Sequence, residues 1–136
     1  MAGGRVFLIL YFIIMAVYQT KDFKKWNKKN KVPNDKLLDA IKSINGGSGI
    51  VNLGNGLYKV RIAKDKGKSG GYRTIIIHQK GLRSLFVHGF EKSEKENISV
   101  VELREIKSLA IDFLTCSEDY IKKLLEINFI YLLEEQ

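Results

Sequence analysis

One stretch, Leu53 to Ile98, narrows the choice of fold more than any other part of the chain. It holds three short apolar runs separated by basic loops that carry glycine. In Tyr58 to Lys64, apolar Tyr58, Val60 and Ile62 alternate with Lys59 and Arg61. That is the period of a strand with one covered face, and it sets both cations on the other face. Lys64-Asp65-Lys66-Gly67-Lys68-Ser69-Gly70-Gly71 reads as a loop, with glycines for unusual backbone angles and lysines for solvent. Tyr72 to His78 is β-branched and reads as a buried second strand. Gly81 marks the next turn, and Leu82 to Phe90 is the third strand. Connections this short favour antiparallel neighbours.

The flanks supply helices. Val17 to Thr20 reads as a further strand, followed by a short basic helix over Lys21 to Lys31 with Phe23 and Trp26 on its buried side. Pro33 and Asn34 mark a break and restart, and Leu37, Leu38, Ile41 and Ile44 form the apolar stripe of a second helix. Asn45-Gly46-Gly47-Ser48-Gly49 is expected to end it on a left-handed glycine. Ser99-Val100-Val101-Glu102 is a capping box opening a helix with Leu103, Ile106, Ala110 and Phe113 on one side. Thr115 or Ser117 caps another, carrying Tyr120, Leu124 and Leu125; Phe129 to Leu133 is a strand or a helix end. The expected fold is α+β: a small antiparallel sheet of about four strands, two N-terminal helices packed on it, and C-terminal helices.

At 136 residues the chain is one domain by length, with a real core within reach. Residues 1–14 stand apart as an apolar N-terminal extension, too short to span a bilayer, before a domain over 15–136. A signal or anchor, or an added edge strand, are the other readings of that extension. Cys116 is alone and cannot form an internal disulfide; a chain without disulfides fits a reducing cytoplasm. The net charge of +8 is unevenly placed. From Tyr58 to Lys95 there are ten cations against three acids, and from Glu96 onward nine acids against four cations. A basic front points to a polyanion, and composition alone fits a lysine-rich surface equally well.

Four segments in this order carry a family resemblance: Leu53-Gly54-Asn55-Gly56, Tyr58-Lys59-Val60-Arg61-Ile62-Ala63, Gly67-Lys68-Ser69-Gly70-Gly71-Tyr72-Arg73, and His88-Gly89-Phe90-Glu91-Lys92-Ser93-Glu94-Lys95-Glu96-Asn97-Ile98. Together they resemble the RelE/ParE superfamily of toxin–antitoxin toxins, most closely its HigB-like, phage-associated branch. The likeness extends more weakly from Met15 to about Glu135. It implies a cytoplasmic, ribosome-dependent endoribonuclease that cuts mRNA by attack of a ribose 2′-hydroxyl on the adjacent phosphate. It implies no metal and no cofactor, a cognate helix-turn-helix antitoxin, the ribosome and mRNA as partners, and no stable membrane partner. ParE relatives share the fold and poison DNA gyrase instead; a degenerate nucleic-acid-binding module is the third reading.

Such chemistry needs a proton acceptor, cations for the phosphorane and a proton donor. Lys59 and Arg61 match the basic pair of RelE toxins, and Arg73 matches the arginine of the family's Gly-Tyr-Arg step. A guanidinium fork suits two nonbridging phosphate oxygens. Lys92 lies near a further family arginine. Each cation has a structural reading as well: Lys59 as a solvated strand lysine, Arg73 as the partner of Glu91 or Glu94. RelE toxins end on a tyrosine that this chain lacks after Asn97. That leaves His88, whose side-chain type titrates nearest neutrality, and Glu91 for proton transfer. His88 and His78 equally suit a core position, and Tyr72 suits packing as well as stacking on RNA. Lys64, Lys66 and Lys68 can hold phosphate from their loop. Gly67-Lys68-Ser69 is not a Walker loop, since the required earlier glycine would fall at Ile62.

Overall fold

The computed structural model describes residues 16–64, 71–92 and 98–133. The extension over 1–14, Lys66 and Lys68 therefore lie outside the described residues. The order is β1 (Ala16–Thr20), α1 (Lys21–Asn30), α2 (Asn34–Ser43), β2 (Ile50–Gly54), β3 (Leu57–Ala63), β4 (Gly71–Gln79), β5 (Arg83–Glu91), α3 (Val100–Thr115), α4 (Glu118–Glu126) and β6 (Ile130–Leu132).

The architecture is α+β, but the sheet is larger than expected and mixed. Among the described residues it has six strands, in the order β2-β3-β4-β5-β1-β6. β1 lies parallel to β5, and the other pairs are antiparallel. The expectation of about four antiparallel strands missed the β2 edge and one strand direction, and Phe129 to Leu133, read as strand or helix end, holds the β6 edge. β2 enters through a two-residue turn, Asn55-Gly56, with φ of 53° and 75°. Positive φ at both positions is the hairpin geometry that matches strand twist, and Asn-Gly is its strongest sequence signal. β1 and β5 are joined by no hairpin, so closure does not force them antiparallel. β6 is three residues long and, among the described residues, pairs only with β1.

The helices start where side chains meet free N–H groups. Thr20 Oγ1 accepts from Phe23 N at 3.1 Å, Ser99 Oγ from Glu102 N at 3.0 Å, and Ser117 Oγ, not Thr115, from Tyr120 N at 3.2 Å. α1 ends on Lys31 in the left-handed region, φ 56°. Asn27 holds that turn by accepting from Val32 N at 2.9 Å and donating to Val32 O at 3.3 Å. The residue capping α2 is Ile44, still right-handed; the positive-φ glycine follows two residues later at Gly46, φ 138°, and the turn closes through Gly46 and Gly47 N–H groups on Ser43 O.

Each face of the sheet buries its own core. α1 and α2 cover one face, where Phe23, Leu37, Ile41, Val60, Ile62, Ile76 and Phe86 pack. α3 and α4 cover the other, over Leu57, Ile75, Ile77, Leu85, Phe113, Ile121 and Ile130. In α4 the buried residues are Ile121 and Leu124; Tyr120 stays exposed. Arg83 pins the α3–α4 elbow to the sheet. Its buried guanidinium donates to Cys116 O at 3.2 Å, Nε donates to Gln79 Oε1 at 3.3 Å, and Nη1 lies 3.6 Å from Glu118 Oε1.

Between β4 and β5 the register slips. Ile75 pairs with His88 and Ile76 with Phe86, which leaves Val87 as an extra residue, a β-bulge. Phe86 belongs to the α1/α2 core and Val87 to the α3/α4 core. Strict alternation would return His88 to the α1/α2 face. The bulge instead sets it opposite Ile75, on the α3/α4 face. Gly89 then meets α1, where a Cβ would lie 2.5 Å from the Trp26 ring.

Candidate nucleic-acid interface

Directly opposed residues of antiparallel strands project to the same side. Arg61 pairs with Arg73, which pairs with Phe90; Lys59 pairs with Ile75, which pairs with His88. Those two rows place Lys59, Arg61, Arg73 and His88 together on the α3/α4 face, beyond its apolar half. Arg73 is the centre. It is directly opposite Arg61 and diagonal to both Lys59 and His88, at roughly 7–8 Å in strand geometry. Arg61 is exposed; Lys59, Arg73 and His88 are half-buried. Buried Phe90 backs the His88 ring, centroids 5.9 Å apart.

Among the described residues, none of these three cations has an acid partner. Arg73 Nη1 donates to Tyr72 O at 3.4 Å, a long bond. Two arginines at directly opposed ladder positions cost stability, on the order of 0.2–1 kcal/mol for a cross-strand pair. Such a local conflict is what a binding face for anions carries.

The remaining sequence candidates lie elsewhere. Tyr72 and Glu91 pair with each other and project to the α1/α2 face. There Lys64 Nζ sits 3.6 Å from Glu91 Oε1 and 5.2 Å from the Tyr72 ring centroid, and Tyr72 stands edge-on to Trp26 at 5.3 Å. The sheet separates this cluster from Arg73 and His88. Lys92 is exposed just past β5, where its backbone N–H donates to Gly71 O at 2.9 Å. His78 is buried on the α1/α2 face; Nδ1 shares a 2.7 Å hydrogen bond with Ser84 Oγ, and Nε2 has no partner among the described residues. Burial without an acid nearby holds its pKa below the ordinary value.

One cation escaped sequence reasoning. Lys107 is half-buried on α3, two helical turns before Leu114 and so on the same stripe. Leu114 abuts Gly56 at the β2–β3 turn, where a Cβ would meet its Cδ1 at 2.5 Å. The helix packs on the α3/α4 face chiefly against β4. The signal of Lys107 was weak because one lysine on an amphipathic helix reads as solvated. Among the described residues no three His, Cys, Asp or Glu side chains gather as a metal site, and no helix is long and apolar enough to cross a membrane.

A mixed sheet covered by helices on both faces, with a cationic patch at the open end of one face, defines a small α+β protein built around basic strands. The chain belongs to the RelE toxin family of RelE/RelB toxin–antitoxin systems, whose family model matches residues 15–132. No curated protein matches it.

Proposed function

We propose that this chain is a ribosome-dependent mRNA endoribonuclease acting in the cytoplasm, of the HigB-like branch, held in check by a helix-turn-helix antitoxin. The observation that carries this reading is the Arg61–Arg73 pair: two like charges opposed across one ladder, with Lys59 beside them and no acid paired to any of the three among the described residues. A scissile phosphodiester on this face relieves their repulsion.

Arg73 and Arg61 take the nonbridging oxygens and stabilise the charge that grows on the phosphorane. Lys59 adds positive potential beside them. The ribose 2′-hydroxyl is the nucleophile. Its attack closes a 2′,3′-cyclic phosphate and expels the 5′-oxygen of the next nucleotide. His88, diagonal to Arg73, is the proton-transfer group on this face: it takes the 2′-hydroxyl proton and passes it to the departing 5′-oxygen, which leaves as a hydroxyl. Glu91, engaged by Lys64 across the sheet, is not.

Toeprinting on purified ribosomes tests the reading. The wild type cuts message in the decoding site, and Arg73→Ala and His88→Ala slow that cut. Uncut message, or inhibition of gyrase supercoiling in its place, overturns it.

A further inference from the structure

The free edge of β3 opens a second site. β2 pairs with β3 only as far as Ile50 and Val60, and Arg61 N then donates to Gly49 O at 3.0 Å. Beyond that bond the edge faces α2 instead of a strand. The gap is a groove of about 560 Å³, lined by Lys36, Asp39, Ser43, Ser48, Arg61 and Lys64. A smaller hollow of about 80 Å³ adjoins it, reaching Lys31 and Tyr72.

Arg61 belongs to both places. Register puts it opposite Arg73 on the cationic face, and it also lines the groove. Gly49 lets the chain pass close by, since a Cβ there would sit 3.1 Å from Arg61 Cβ. The other cations are held in position. Lys36 Nζ donates to Ala63 O at 3.4 Å, and Lys64 is steadied by Glu91. The lining carries three cations against one acid, Asp39. Its volume falls within the roughly 300–1,000 Å³ of small-molecule sites. Two serine hydroxyls stand where a ribose 2′-hydroxyl can bond, the group that separates RNA from DNA.

We propose that this groove is an RNA subsite for the nucleotide flanking the scissile phosphodiester, with Arg61 bridging the two positions. The inference rests on the ribonuclease reading and names where the strand runs once it leaves the cationic face. Lys36 and Lys64 hold its next phosphate, and Ser48 contacts the ribose.

The test uses the full chain, a short single-stranded RNA and the DNA of the same sequence, with binding followed by fluorescence anisotropy over a salt series. Ser48→Phe fills the groove from an exposed position; Lys36→Gln removes one cation. Each is expected to weaken RNA binding about tenfold. Lys36→Gln also flattens the log–log salt slope by roughly 0.7. The preference of the wild type for RNA over DNA shrinks in Ser48→Phe. On ribosomes both variants raise KM more than they lower kcat, whereas Arg73→Ala lowers kcat. Unchanged binding, slope and KM in both folded variants, with Arg73→Ala still impaired, overturns the groove and leaves the ribonuclease reading standing. A chain in which Arg73→Ala changes nothing overturns the reading beneath it.

Discussion

Arg73→Gln moves stability and cleavage in opposite directions. Arg61 and Arg73 oppose each other across β3 and β4, with Arg61 exposed. Like charges on directly opposed strand positions, taken at roughly 6 Å in water-like surroundings, repel by about 0.7 kcal/mol. That figure lies inside the range of about 0.2–1 kcal/mol for like charges paired across strands. Among the described residues the bond given up is the 3.4 Å contact to Tyr72 O, near the limit of useful geometry. A net gain of about 0.5 kcal/mol follows, or a rise of roughly 1–3 °C in Tm at low ionic strength. In 1 M salt, where the screening length is about 3 Å, the gain vanishes. Under the proposed ribonuclease mechanism the same substitution is expected to remove a fork from the transition state, a loss of about 2.7–4 kcal/mol, or 10²–10³ in cleavage rate. Thermal melts at low and high salt, beside toeprinting rates, measure both. In a double-mutant cycle with Arg61→Gln, the two stability gains do not add, since either one relieves the same repulsion. A lower Tm at both salt concentrations, with cleavage unchanged, refutes the reasoning.

Three further outcomes test the scaffold. Gly89→Ala forces a methyl group into the Trp26 ring and should cost about 1–3 kcal/mol in urea unfolding; a neutral result would mean α1 gives way freely. Arg83→Ala strips the α3–α4 elbow of charge-assisted bonds to Cys116 O and Glu118 and should lower stability by about 1.5–3 kcal/mol, with α4 amides exchanging sooner than those of β4. The folded-state pKa of His78 is depressed, so the unfolded chain binds more protons below its own pKa near 6.5. Stability is therefore full above that pH and falls as pH drops through it, until the folded-state pKa is passed. The urea midpoint should drop between pH 8 and pH 5.5 in the wild type and change less in His78→Leu.

Local chemistry was legible along the chain. Alternation marked β3 and set Lys59 and Arg61 on one side, because a strand's side chains alternate wherever it is placed. Ser99, Pro33 and Thr20 began helices through contacts within four residues. The four-segment resemblance reached the family that the match over residues 15–132 establishes. What alternation cannot supply is how two strands slide against each other. Arg61 faces Arg73, and not its neighbour, because the β3–β4 register says so. His88 joins them only because Val87 bulges out of the β4–β5 ladder, which shifts the strand's parity by one. Under unbroken alternation from Phe86, His88 would face α1 and Glu91 would pass to the α3/α4 face in its place. Parity along one strand is a property of its own backbone, but parity between strands depends on packing from both faces, and that is settled only when the chain has folded.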